Sequence, residues 1–184
     1  MLGELQIRNM TSVFRAWDTN GNGVLEQADY QTIVDRFAKG LNLGKNSPEY
    51  QKLQSAFMAD WNEMKKDADV NNDGTVDLNE WLDATGRSIQ TEEGYKTIVL
   101  NYPTLMGDLM DTDKDGKITF DEYNVFLYCF ALVNESNARI CFNKCDLNGD
   151  GYITKDELIE LGKQFGSSHD PNAPGHWLFG PSTS

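Results

Sequence analysis

The sequence predicts an all-α fold: four helix–loop–helix units in two pairs, packed into one compact globule, with short antiparallel strands between paired loops. Three observations carry this expectation. A cluster of Asp, Asn and Gly recurs four times, starting at Asp18, Asp69, Asp111 and Asp146. Each cluster is flanked by apolar residues at helical spacing, the signature of a repeated supersecondary unit. A glycine stands at the sixth place of each, at Gly23, Gly74, Gly116 and Gly151, where a tight loop demands a backbone conformation that a side chain opposes.

The flanking helices follow in order. Leu5, Met10, Val13, Phe14 and Trp17 lead into the first loop, and Tyr30, Ile33, Val34 and Phe37 leave it until Gly40 stops the helix,. Ser47-Pro48-Glu49 reads as N-cap, first-turn proline and first-turn acid, ahead of the stripe Leu53, Phe57, Trp61 and Met64,. Trp81 and Leu82 lie in the helix after the second loop. Tyr95 and Ile98 come before Pro103, which is expected to interrupt or kink a helix that resumes through Leu105, Leu109 and Met110,. Phe120, Tyr123, Phe126 and Phe130 follow the third loop; Ile140 and Phe142 lead into the fourth, and Leu158, Leu161 and Phe165 leave it until Gly166. Trp17, Phe57, Trp61 and Trp81 are read as core. Thr119 with Glu122 and Thr154 with Glu157 have capping-box spacing,. The expected division is a first pair over 1–90 with loops 18–29 and 69–80, a second over 91–166 with loops 111–122 and 146–157, and a tail over 167–184 packing on the core.

The four 12-residue stretches match the EF-hand calcium loop. A hard cation of this size takes six to eight oxygens, supplied by side chains at the first, third and fifth places, a carbonyl at the seventh and a carboxylate at the twelfth. The candidate side chains are Asp18, Asn20, Asn22 and Asp29; Asp69, Asn71, Asp73 and Glu80; Asp111, Asp113, Asp115 and Glu122; and Asp146, Asn148, Asp150 and Glu157. The carbonyls belong to Val24, Thr75, Lys117 and Tyr152. The eighth places, Leu25, Val76, Ile118 and Ile153, suit strands that pair first loop with second and third with fourth,. Asp29 is one methylene shorter than the three glutamates, which leads to the expectation of a smaller oxygen shell and a mixed Ca2+/Mg2+ site in the first loop.

Composition excludes several functions. Twenty-nine acidic residues against 16 basic give a net charge of -13, which repels nucleic acid and anionic lipid and attracts cations; four divalent ions would bring it to -5,. No apolar run approaches membrane-spanning length, and the first residues carry neither a secretory pattern nor a glycine at position 2 for myristoylation,. Cys129, Cys141 and Cys145 make an odd number, a poor disulfide framework and suited to buried thiols in a cytoplasmic protein. His169 and His176 lie in a Pro/Gly-rich segment and read as turn residues,. No Ser/His/Asp or Cys/His constellation assembles a catalytic centre, so no enzyme is expected.

The loops start 51, 42 and 35 residues apart. With Asp29 at the twelfth place and the ending Trp177-Leu178-Phe179-Gly180-Pro181, this resembles the sarcoplasmic calcium-binding proteins and their relative calexcitin. The resemblance implies two EF-hand pairs packed together and a cytosolic Ca2+/Mg2+ buffer. Its members often have a degenerate second or fourth loop, whereas all four are complete here, so up to four ions are expected. Trp177, Leu178 and Phe179 are costly to leave in water, about 2 kcal/mol each, and are expected to fill the groove that a sensor would offer to a target helix. The alternative is a calcium sensor opening such a groove to a protein. A third reading is a coelenterazine-binding photoprotein, but that family carries histidines through its chain and none precedes His169 here. A monomer is expected, without nucleic-acid or membrane partners.

Overall fold

The structure is a computed structural model describing residues 2–181, except the side chains of Leu100 and Asn101. Met1 and the last three residues of the expected tail, 182–184, lie outside the described residues.

In the first half, α1 (Glu4–Trp17) and α2 (Gln27–Gly40) flank the first loop, and α3 (Pro48–Ala68) and α4 (Leu78–Ser88) flank the second. Strands β1 (Val24–Leu25) and β2 (Val76–Asp77) join the loops antiparallel, Leu25 opposite Val76. In the second half, α5 (Glu92–Tyr95), a π-helix (Lys96–Asn101) and α6 (Tyr102–Met110) run into the third loop and α7 (Phe120–Ala131) leaves it. The fourth loop lies between α8 (Glu135–Cys145) and α9 (Lys155–Ser167). Strands β3 (Lys117–Ile118) and β4 (Ile153–Thr154) pair with Ile118 opposite Ile153. Ser47 caps α3 through its hydroxyl, which accepts from Tyr50 N at 3.1 Å.

One apolar core spans both halves. Trp17, 2% exposed, lies 4.2 Å from the Tyr30 ring and 5.7 Å from Phe57, and meets Phe130 of α7 edge-on at 5.6 Å. Phe37 and Phe126 make a second bridge at 5.7 Å. Such pairs add about 0.5–1.5 kcal/mol each beyond the area they bury. The three cysteines are buried and free. Desolvation pushes Cys129 up to about 11 and Cys141 up to about 12, with Cys145 higher still, so the thiols stay protonated and inert,. Two residues expected on apolar stripes, Leu105 and Ile140, are instead exposed; Ala138, Cys141, Phe142 and Cys145 form the inward face of α8.

At Pro103 the α-helical ladder is interrupted, as expected, but the helical run continues. The chain passes from α5 into α6 through the π-helix, with Tyr102 N donating to Thr97 O five residues back. Proline lacks the N–H that would close an α-helical bond onto the Val99 carbonyl and its ring crowds that turn. The wider π turn absorbs both effects.

A short 3-10 helix, Pro174–Trp177, packs against α8 and α9. Leu178 is fully buried, and the Tyr123 hydroxyl lies 3.0 Å from Trp177 O and 2.9 Å from Leu178 O, positioned to donate to both. Phe179 meets Phe165 edge-on at 5.2 Å. His176 differs from the turn residue that composition implies, being 3% exposed. Asn9 Nδ2 donates to Phe165 O at 2.7 Å, which fixes the amide orientation, so the same nitrogen donates to His176 Nδ1 at 2.8 Å. The ring is thereby held as the tautomer whose Nε2–H donates to Asp170 O, also at 2.8 Å. Replacing Asn9 by Leu keeps the branched outline of the side chain but leaves the Phe165 carbonyl and His176 Nδ1 without their donor, so stability in urea unfolding is expected to fall by about 2 kcal/mol. An unchanged midpoint would mean that water replaces the amide.

Candidate metal centres

The first residue of each loop ends the helix before it: Asp18 N donates to Phe14 O, Asp69 N to Lys65 O, Asp111 N to Gly107 O and Asp146 N to Phe142 O. From there the backbone takes the same course four times. The sixth-place glycines have φ between +85° and +93°, and the fourth places, Gly21, Asn72, Lys114 and Gly149, are left-handed too. This curl turns a row of side chains inward and hooks each to the backbone ahead of it. Asp18 Oδ2 accepts from Gly23 N at 2.9 Å, and the same bond recurs from Gly74 to Asp69, Gly116 to Asp111 and Gly151 to Asp146. Third-place oxygens accept from fifth-place amides, as Asn71 does from Asp73 N at 2.8 Å. Fifth-place oxygens accept from the seventh, as Asp115 does from Lys117 N at 2.8 Å.

The twelfth residue closes each ring. Glu157 Oε1 accepts from Leu147 N at 2.9 Å, while Oε2 accepts from Thr154 N and Thr154 Oγ1, both at 2.8 Å. Glu122 makes the same set with Thr112 and Thr119, and Glu80 reaches Val70 N and Asp77 N. The capping spacing read from Thr119 and Thr154 is thus present as hydrogen bonds, and Asp77 with Glu80 adds a third box. Burial pushes the Glu122 carboxyl up, but four hydrogen bonds from Thr119 and Thr112 outweigh it and hold the group below its usual value. Asp73 is lowered as well, by the side-chain and backbone bonds from Thr75 and then by Asn71. Both carboxylates are therefore kept ionised, the form a cation needs.

Asp29 is fully buried and reaches Thr19 N at 3.0 Å, Thr19 Oγ1 at 2.8 Å and Glu26 N at 3.0 Å. The first loop also holds a carboxylate that the sequence reading passed over. Glu26, at the ninth place, accepts from Asn20 Nδ2 at 3.2 Å and Asn22 Nδ2 at 3.5 Å. Its signal was a glutamate at that place, long enough to reach back over the loop, where the other loops have the shorter Asp77, Thr119 and Thr154 capping the following helix.

The donor set fits a hard cation. Asp111, Asp113 and Asp115 each offer a carboxylate oxygen, all within 4.8 Å of one another. Three like charges so close call for a counter-charge between them. Asp111 Oδ1 is buried with no hydrogen-bond donor among the described residues, which a coordinated ion would satisfy.

A family model described as EF hand matches residues 66–83, 108–127 and 138–161, taking in the second, third and fourth loops. Calerythrin of Saccharopolyspora erythraea is 29% identical over 156 residues, 83% of this chain and 86% of that protein. The sarcoplasmic calcium-binding protein alpha chain of Penaeus vannamei is 28% identical over 178 residues, covering 90% of this chain and 89% of its own. Among solved structures, the coelenterazine-binding protein of Renilla muelleri, in its calcium-loaded apo form, superposes with a TM-score of 0.71 at 23% identity, over 96% of this chain and 98% of that one, and shares the fold. The sarcoplasmic relative is named for calcium binding, and none of the three is named for a reaction. The four repeated loops, their strand pairing and these matches agree: the chain belongs to the EF-hand calcium-binding proteins and is related along nine-tenths of its length to the sarcoplasmic calcium-binding proteins.

Proposed function

We propose that the chain is a cytosolic Ca2+/Mg2+ buffer that takes up four ions as a monomer. The side-chain ligands in this reading are Asp18, Asn20, Asn22 and Asp29, with Glu26 from the ninth place; Asp69, Asn71, Asp73 and Glu80; Asp111, Asp113, Asp115 and Glu122; and Asp146, Asn148, Asp150 and Glu157. Val24, Thr75, Lys117 and Tyr152 contribute their carbonyls. The supporting observation is the tail: Leu178 is fully buried and its carbonyl faces the Tyr123 hydroxyl, so the second pair covers apolar surface with its own chain. A sensor of the helix-in-groove kind needs such surface free for its target. Calorimetric Ca2+ titration with and without millimolar Mg2+, beside a fluorescent probe of exposed apolar surface, tests this. Competition by Mg2+ with little change in probe signal is expected; Mg2+-insensitive sites with a large rise in probe binding would make the chain a sensor.

The first loop is where we place the Mg2+ preference. Asp29, sealed by Thr19 and Glu26 backbone bonds, is too short to chelate through both oxygens as a glutamate does, which favours a near-octahedral shell. Asp29→Glu is expected to raise the Ca2+/Mg2+ affinity ratio of one site by about tenfold, within the range that ligand geometry tunes. Unchanged Mg2+ competition would remove the assignment.

A further inference from the structure

A cavity of about 510 Å3 lies apart from the loop interiors, between α1, α3, α4, the α5 to π-helix segment and the tail. Its volume is in the range that takes drug-sized molecules. Six aromatic side chains line it: Trp17, Tyr30, Trp81, Tyr102, Phe165 and Phe179. The Trp81 ring is fixed in place, its indole N–H donating to Met10 O at 3.2 Å. Four carboxylates complete the wall: Asp60 half-buried inside, and Glu63, Asp67 and Glu93 exposed at the rim. No lysine, arginine or histidine is among the described lining residues.

Two groups in the cavity lack partners. Asp60 makes no hydrogen bond or ion pair among the described residues, and desolvation, with Glu63 adding to it, pushes its carboxyl up to about 6. At neutral pH it is therefore an ionised carboxylate without a counter-charge. The indole N–H of Trp17 is buried beside the Tyr102 hydroxyl, with no acceptor in full hydrogen-bond geometry among the described residues. An aromatic box with an uncompensated anion at its side attracts a cation twice, through the ring faces and through the carboxylate. An unpaired buried donor adds a call for an acceptor oxygen.

We propose that this cavity binds an organic cation: an ammonium group held by Asp60 and the aromatic walls, on an apolar body that carries an acceptor oxygen for Trp17. The charge of the wall excludes organic anions and gives a neutral aromatic molecule nothing to pair with Asp60. This reading goes beyond calcium binding and does not rest on the choice between buffer and sensor.

The test is calorimetric titration of the full-length, Ca2+-saturated protein with three matched probes. Benzoylcholine supplies the cation, ring and ester carbonyl; 3,3-dimethylbutyl benzoate replaces the nitrogen by carbon; hippurate carries the opposite charge. Saturable binding of benzoylcholine is expected, at least tenfold tighter than the neutral ester, with none for hippurate. Asp60→Asn should weaken benzoylcholine at least tenfold while the Ca2+ titration stays as in the parent. Ala84→Phe, which fills the cavity from α4, should abolish binding by occlusion and serves if the Asp60 variant is poorly folded. Equal affinity for the neutral ester, an unaffected Asp60→Asn or Ala84→Phe variant, or no saturable binding up to millimolar benzoylcholine would each overturn the proposal.

Discussion

Glu157→Gln is expected to lower the Ca2+ affinity of the fourth loop on the order of 100-fold, since charge count and ligand geometry tune such loops over several decades. The substitution is nearly isosteric, so the loss comes from charge and hydrogen-bond direction. In the parent all the donors, Leu147 N, Asn148 N, Thr154 N and Thr154 Oγ1, point at the two carboxylate oxygens. An amide nitrogen at either place faces an N–H with an N–H. Turned one way it breaks the cap of α9, and turned the other it breaks the bridge to the start of the loop. Calorimetry should find one site fewer in the tight class. The partner third loop, tied through Ile118 and Ile153, should weaken far less. Retention of every tight site would show that the twelfth residue does not carry the fourth loop.

Gly162→Ala is expected to destabilise the protein by about 3 kcal/mol, at the upper end of overpacking costs. Helix propensity alone predicts the opposite sign, a gain of roughly 1 kcal/mol. The decisive fact is what a Cβ would meet: the Val99 carbonyl oxygen at 2.3 Å and Pro103 Cγ at 2.7 Å. Neither is the free end of a flexible side chain. Val99 belongs to the π-helix and Pro103 to the first turn of α6, so relief requires moving a helix away from α9. Urea unfolding of the Ca2+-saturated protein measures the change; a midpoint equal to or above the parent's would mean that the π segment yields easily.

The loops were legible in the sequence because their chemistry is local: twelve consecutive residues hold both the turn-forming glycine and the oxygens, and the strand pairing follows from Leu25, Val76, Ile118 and Ile153. Glu26 was missed because its role depends on Asn20 and Asn22 turning their amides toward it, which the shared loop pattern does not specify. His176 was missed for a related reason. Pro, Gly and Asn around it announce a turn, but only the arrival of Asn9 from the first helix makes the ring a buried group. Pro103 announced an interruption or kink, but not that it would take the form of one widened turn that sets Val99 against Gly162. The cavity had no sequence signature, since Asp60, Trp81, Ile98 and Phe179 meet only after four separate elements have packed.

The bond between Asn9 and His176 joins positions 167 residues apart. On the ribosome the N-terminal helix emerges first, and at translation rates of about 5–20 residues per second its closing partner follows on the order of ten seconds later. Through that interval the two loop pairs can form, yet Asn9 and the neighbouring aromatic surface remain open to solvent or to a chaperone. Closure of this contact is thereby timed by emergence of the residues around His176 from the exit tunnel.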